Sequence, residues 1–228
     1  MKLGLNIKNN VGGSWTPANI SSLTHWYRYD TGITKDAEDD ITAWNDQKGS
    51  NNLTADGSGG GSPTYASGAV FFNGVGDILT FGSPLDLGTF SIYTRMELSN
   101  FGGDFIFEET PNEFLKVQSS TEVRLRIDGG SRHDAASGIS LSADTKFNIG
   151  FERENTADTT DDQLFLFIDN ASKSIGGSGG GTQVITDLLE ISTLGKPASD
   201  CKFYEIIICN NSLTTSDRSN LNAYLNNI

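Results

Sequence analysis

Side chains suited to catalysis or metal binding are few and scattered in this chain of 228 residues. It has two histidines, His25 and His133, and two cysteines, Cys201 and Cys209, with no Cys-x-x-Cys. A zinc site needs three or four such ligands brought together, and no such set is present. Ser131-Arg-His133-Asp134 contains the residue types of a nucleophilic triad. A triad needs side chains converging from separated positions, however, and four consecutive residues read as a polar turn. Two acidic runs, Asp36-Ala-Glu38-Asp39-Asp40 and Asp158-Thr-Thr-Asp161-Asp162, offer the hard oxygen ligands that calcium takes. Neither has the spacing and glycine of an EF-hand, so a solvated acidic turn is the first expectation for both. Asp158, Asp161 and Asp162 are kept as the candidate metal ligands.

A sugar site needs aromatic platforms and planar polar groups on an exposed face or rim. Phe90 to Leu98 alternates, with Phe90, Ile92, Met96 and Leu98 on one face and Tyr93, Arg95 and Glu97 on the other. Glu122 to Asp128 alternates likewise, with Arg124 and Arg126 outward, and Phe147 to Arg153 puts Asn148 and Glu152 outward. These three strands are expected to be half-exposed. Tyr93, Arg95, Arg124 and Arg126 are therefore the candidate carbohydrate-binding residues. The same arginines also stand where Glu97, Glu122 or Glu152 can pair with them across strands. His25, Tyr27 and Tyr29 share one face of Thr24 to Asp30, opposite Trp26. Such an aromatic stripe can stack on a sugar, but packing in a core or at an edge is its commoner use.

The elements that must hold these residues are strands. The chain has 26 Gly, 13 Phe and many Ser, Thr, Asn and Asp, a strand-and-turn composition. Further strands are expected at Asp104 to Phe107, Phe114 to Val117 and Gln163 to Ile168, separated by turns as in a sandwich, and Leu188 to Gly195 leads into the terminal strand. Gly49 to Gly68 and Ser174 to Gln183 read as Gly-rich surface loops. Lys202 to Asn210 is apolar on both faces, which predicts a central strand covered on two sides. A helix follows: Thr214 stands three residues before Asp217, and Leu221, Tyr224, Leu225 and Ile228 recur on one face. Residues 1–14 form an arm, alternating at Leu3, Leu5 and Ile7, that reads as an edge strand, a docking peptide or a frayed terminus. Residues 15–228 read as one domain.

A formal net charge of −13 and a pI near 4.4 disfavour nucleic acid and anionic membrane surfaces as partners. The N-terminal residues lack the apolar core of a signal peptide and no stretch is long enough to span a bilayer, so synthesis in a cytosol without Sec export is expected. Cys201 and Cys209 at the ends of one extended strand would lie roughly 26 Å apart, too far to bond. No oxidising compartment is implied, and Asn52-Leu-Thr54 and Asn170-Ala-Ser172 read as chance triplets rather than glycosylation sites.

Several segments together resemble a known family. They are Trp15-Thr-Pro17, Leu23-Thr-His-Trp26, Ile41-Thr-Ala-Trp44-Asn-Asp46, Ala69-Val-Phe-Phe-Asn-Gly-Val-Gly-Asp-Ile-Leu79, the Asp169-Asn170 turn, and the terminal strand, Asn-x-Leu turn and capped helix. The match, from Trp15 to Ile228, is to laminin-G-like jelly rolls of the concanavalin A-like lectin and glucanase superfamily. It implies an all-β fold, a two-layer antiparallel jelly-roll sandwich with one short C-terminal helix. Asn73 stands where the family usually has Asp, which weakens a metal-ligand role there. Related domains often hold calcium in loops, so calcium is the one cofactor left open and no other is expected. Glucanases of the superfamily carry paired glutamates as Glu-x-Asp-x-Glu. Here Glu38-Asp39-Asp40 is followed by Ile41-Thr42, so the resemblance implies a non-enzyme.

Jelly rolls of this kind with a short Gly/Asn-rich arm and no export signal resemble virion proteins of tailed bacteriophages. That resemblance implies a structural or surface-display protein of a phage virion, of capsid-decoration or head-fibre type, made in the host cytoplasm and displayed on the virion surface. The arm would dock on other virion proteins, and the body would adhere weakly to cell-surface glycan, with homo-oligomers left open. The alternatives are a tail-fibre or baseplate receptor-binding lectin module and, from another class, a polysaccharide-cleaving enzyme.

Overall fold

The computed structural model of the chain describes residues 14–55, 61–110, 113–127, 131–135, 138–154, 164–175, 188–195 and 200–228. Among them the alternating segments form seventeen strands, all paired antiparallel, in two sheets. One sheet runs β15 (Ala171–Lys173), β14 (Leu164–Ile168), β13 (Phe147–Arg153), β8 (Phe90–Leu98) and β17 (Cys201–Cys209). The far edge of β17 is shared: its first residues pair with β6 (Ala69–Phe72), which carries β5 (Thr64–Ala66), and its later ones with β1 (Leu23–Arg28). The other sheet runs β12 (Ser131–Ala135), β11 (Glu122–Ile127), β10 (Glu113–Ser119), β9 (Asp104–Thr110), β16 (Leu189–Gly195), β7 (Ile78–Leu87), β4 (Leu53–Ala55), β3 (Ile41–Trp44) and β2 (Ile33–Lys35).

Inward residues of both sheets make one core, including Trp44, Phe72, Phe90, Phe107, Met96 and Phe203. Tyr27 points into it, edge-on to Trp44 and Phe81 at 5.9 Å each, so the middle of the β1 aromatic stripe is core. The expected central strand is β17, buried at every position except the half-buried Lys202. Cys201 and Cys209 lie buried at its two ends.

A second apolar cluster lies on the outer face of the first sheet. There α1 (Thr215–Leu225) lays Leu221 and Leu225 on Ile207, Cys209, Tyr93 and Phe167. Its start is the capping arrangement the sequence predicts, with the Asp217 amide donating to Thr214 Oγ1 at 3.0 Å. Burying each leucine stabilises the docked helix by roughly 1.5–3 kcal/mol.

Covering that face overturns one expectation. β8 and β13 are not half-exposed: every residue of β13 is buried, and on β8 only Glu97 is partly open. β11 alone keeps the half-exposed pattern. Local readings also change. Ser131–Ala135 is an edge strand in register with Val123 to Ile127 rather than a turn, because β11 offers it an unpaired edge. The Gly49 to Gly68 excursion contains β4 and β5. The first strand stops at Arg28, which leaves Tyr29 and Asp30 in a turn. Of the expected arm, residues 1–13 lie outside the described residues, as does most of the Ser174 to Gln183 loop.

Candidate functional site

Tyr93 and Arg95 do point away from the inter-sheet core, but α1 sits on them, and they are only 3% and 9% exposed. Gly150 stands opposite Tyr93 on β13, and a Cβ there would fall within the tyrosine ring. The phenol donates to Glu152 Oε1 at 2.5 Å. Arg218 of α1 donates to both oxygens of Glu152, at 2.9 and 3.0 Å, and the Leu213 amide adds a contact at 3.2 Å. Arg95 Nη1 donates to Asn148 and Asn226 at 2.9 Å each, and Asn148 Nδ2 to Asn222 and Asn226 at 2.8 and 2.9 Å. These groups clamp the helix to the sheet. A tyrosine beside a glutamate has the types of a nucleophile and base, but burial and the adjacent Glu152 carboxylate push the Tyr93 phenol pKa far up, so its proton stays.

Arg124 and Arg126 face outward from β11, on the opposite sheet. Arg124 Nε is paired with Glu122 at 2.6 Å, and Lys116 on the next strand lies 5.1 Å over the Phe114 ring. The four candidate residues therefore sit on outer faces of different sheets, and no single ligand can span them. Strand alternation is legible within a segment, but which sheet takes each segment is not.

The candidate metal ligands Asp158, Asp161 and Asp162 lie outside the described residues. In the other acidic run, Asp36 Oδ1 accepts the amides of Glu38 and Asp40 at 3.1 and 2.9 Å, which spends it on closing the turn. Among the described residues no group of three or more His, Cys, Asp or Glu side chains converges as metal ligands would. His25 Nδ1 lies 2.7 Å from Asp46 Oδ2. Asp46 also accepts the amides of Trp26 and Lys48 at 3.0 Å each. Burial pushes the Asp46 pKa up, but these hydrogen bonds outweigh it and hold the carboxyl at about 2. This carboxylate fixes the loop after β3.

An open site does form at the rim where β1 turns into β2. A hollow of about 180 Å³ is walled by Tyr29, Asp30, Thr31, Ile33 and Lys35, with Tyr65 of β5 across it. The turn is set by Gly32, whose φ of +81° suits glycine, and a Cβ there would meet Gln47 and Asn45. Trp44 Nε1 donates to Arg28 O at 2.7 Å and the Asn45 amide to Gly32 O at 2.8 Å, pinning the turn to β3. β5 is brought alongside by the Asp40–Thr64 bridge and by the Tyr65 amide, which donates to Asp39 O at 3.3 Å. Lys35 Nζ pairs with Asp39 at 2.5 Å and lies 5.5 Å over the Tyr65 ring. Arg28 pairs with Asp30 at 2.9 Å.

Two half-exposed tyrosines flanking a carboxylate and a hydroxyl are the means to stack one sugar ring and bond its hydroxyls. At about 180 Å³ the hollow is smaller than the ~300 Å³ at which small-molecule clefts usually begin, a size for one ring rather than a chain. Tyr29 belongs to the aromatic stripe seen in the sequence. Tyr65 and Lys35 were missed, since only the pairing of β5 with β6, and of Asp40 with Thr64, brings them there. A larger hollow of about 340 Å³ lies between Trp15 and Tyr224, but Ser14 forms part of its wall and the chain before Ser14 is outside the described residues.

A scan against protein-family models gives no match, and a search of curated proteins gives none either. Solved structures do match. Trypanosoma rangeli sialidase in complex with the inhibitor DANA superposes with a TM-score of 0.60 and 12% identity, over 91% of this chain and 34% of that one. The same sialidase in complex with sialic acid gives 0.56 and 14%, over 89% and 33%. The binding domain of Paraclostridial Mosquitocidal Protein 1 gives 0.58 and 13%, over 90% and 52%. At such identities the likeness is one of fold. The chain spans about a third to a half of the length of these proteins.

Proposed function

We propose that this chain is a non-catalytic, lectin-type glycan-binding module and that the Tyr29–Tyr65 hollow holds the sugar. The observation that carries this is the placement of two tyrosines across an open cavity of one-ring size, with the Asp30 carboxylate and the Thr31 hydroxyl in its wall. The likeness in fold to a sialidase and to the binding domain of a mosquitocidal protein supports the same reading. A glycan array followed by chemical-shift titration tests it. Tyr29→Ala and Tyr65→Ala are expected to lower affinity at least tenfold, with a modest loss of thermal midpoint for Tyr65→Ala, whose ring also packs against the core. Sugar binding that survives both substitutions would remove the hollow from the proposal.

The setting we infer is the surface of a phage particle, as a receptor-binding module of tail fibre or baseplate, or as a decoration subunit docked through residues 1–14. Support for it comes from the sequence resemblance of arm and jelly roll to virion proteins. Weak single-site affinity then becomes useful through many copies. Mass spectrometry of purified particles tests the setting, and deletion of residues 1–14 tests the docking role: incorporation that is unaffected by the deletion removes it.

A further inference from the structure

The charges around the hollow restrict which sugar it can take, an inference that rests on reading the hollow as a sugar site. Its rim and the adjoining β2–β3 loop carry Asp30, Asp36, Glu38, Asp39 and Asp40 against Arg28 and Lys35, five carboxylates to two cations, or −3. Both cations are already paired with carboxylates of the same rim. The chain as a whole, this region included, carries −13. A carboxylated or sulfated sugar entering here comes within a Debye length, about 8 Å at physiological salt, of that excess negative charge.

The protein also shows what the site prefers. The Lys35 ammonium rests between Asp39 Oδ1, at 2.5 Å, and the face of Tyr65, 5.5 Å from its centroid. Carboxylate on one side and aromatic face on the other is the chemistry that recognises an ammonium. The Lys35 and Asp39 side chains are 35% and 68% exposed, so the pair is weakly held and exchangeable. Asp30 lines the same hollow.

We propose that the hollow selects an amino-sugar residue, whose ammonium takes the place of the Lys35 ammonium on Asp39 and Tyr65 while its ring lies between the tyrosines. Acidic sugars are rejected. Lys35 is then a competitor for the site and not a ligand for the sugar.

The test uses the full chain titrated with D-glucosamine, D-glucose and D-glucuronate at low and physiological salt, followed by NMR shifts of the Tyr29 and Tyr65 region. Glucosamine is expected to bind about tenfold tighter than glucose, the size of one charge-assisted hydrogen bond, with the ratio falling as salt rises and no response to glucuronate. Asp39→Asn should bring the ratio close to one. Lys35→Met should raise glucosamine affinity severalfold. Glucuronate binding, or lost affinity in Lys35→Met, overturns the proposal and leaves a glycan-binding module of opposite preference. Glucose and glucosamine bound equally by the parent chain overturn the proposal alone. No response to any sugar there overturns the glycan-binding reading as well.

Discussion

Glu205 on β17 is fully buried beneath the end of α1, and its Oε1 accepts from Trp26 Nε1 at 2.5 Å and from the Tyr224 hydroxyl at 2.6 Å. Its Oε2 has no hydrogen-bond partner among the described residues. Burial raises the pKa from its ordinary 4.5 to about 7, against the opposing pull of the Tyr224 and Trp26 hydrogen bonds and of the nearby Arg28. Because the folded state holds the proton more tightly than the unfolded one, this group's stabilising contribution is complete below pH 4.5. It declines as the unfolded chain ionises and is lost once pH passes about 7. At about 1.4 kcal/mol per pH unit, the interval from 4.5 to about 7 amounts to about 3 kcal/mol.

The perturbation is Glu205→Gln, which stays neutral and can still accept from Trp26 and Tyr224 through its carbonyl. Urea unfolding of parent and variant at pH 5, 6, 7 and 8 measures the effect. The parent should lose about 2.5 kcal/mol more than the variant between pH 5 and pH 8, part of the contribution being already lost at pH 5. Asp77, whose carboxyl burial also pushes up, is common to both chains and cancels in the difference. A variant whose stability falls in parallel with the parent would show that Glu205 is ionised in the folded protein and that the reasoning is wrong.

Substitutions at Glu152, Arg218 and Gly150 test the clamp under α1. Glu152→Ala leaves the half-buried Arg218 guanidinium only the Leu213 carbonyl, the Tyr93 hydroxyl and the Phe167 face, and should cost about 1–3 kcal/mol in urea unfolding. The Glu152→Ala, Arg218→Ala double variant should cost less than the two single variants added together; strict additivity would mean the ion pair is not coupled. Gly150→Ala puts a methyl where the Tyr93 ring lies. It should cost about 1–3 kcal/mol, or roughly 2–10 °C in thermal midpoint for a chain of this length, and a midpoint within a degree of the parent refutes that packing.

The fold was legible because its signals are local. The inward set of β8, the doubly apolar β17, and the Thr214 cap with its Leu221 and Leu225 stripe all appear in the structure as the sequence implies. The site was not legible, because alternation says which residues share a face and not what covers the face. Tyr93 and Arg95 point outward as read, but Leu221 and Leu225 bring a helix onto them. Lys35 and Tyr65 are 30 residues apart in sequence and belong to different sheets. They meet only through a bridge at Asp40 and Thr64 that no periodicity marks.

The helix therefore decides where a ligand can bind. By placing Arg218, Asn222, Tyr224 and Asn226 over Glu152, Asn148, Glu205 and Arg95, it spends much of the outward polar inventory of the first sheet on internal hydrogen bonds. A polar group so committed gains little by exchanging its partner for a sugar hydroxyl, since the net gain of one hydrogen bond over another is about 1 kcal/mol or less. Around the Tyr29–Tyr65 hollow the ion pairs are instead exposed and cheap to break. Tight polar contacts hold the module together, and loose ones at its rim remain free to exchange partners.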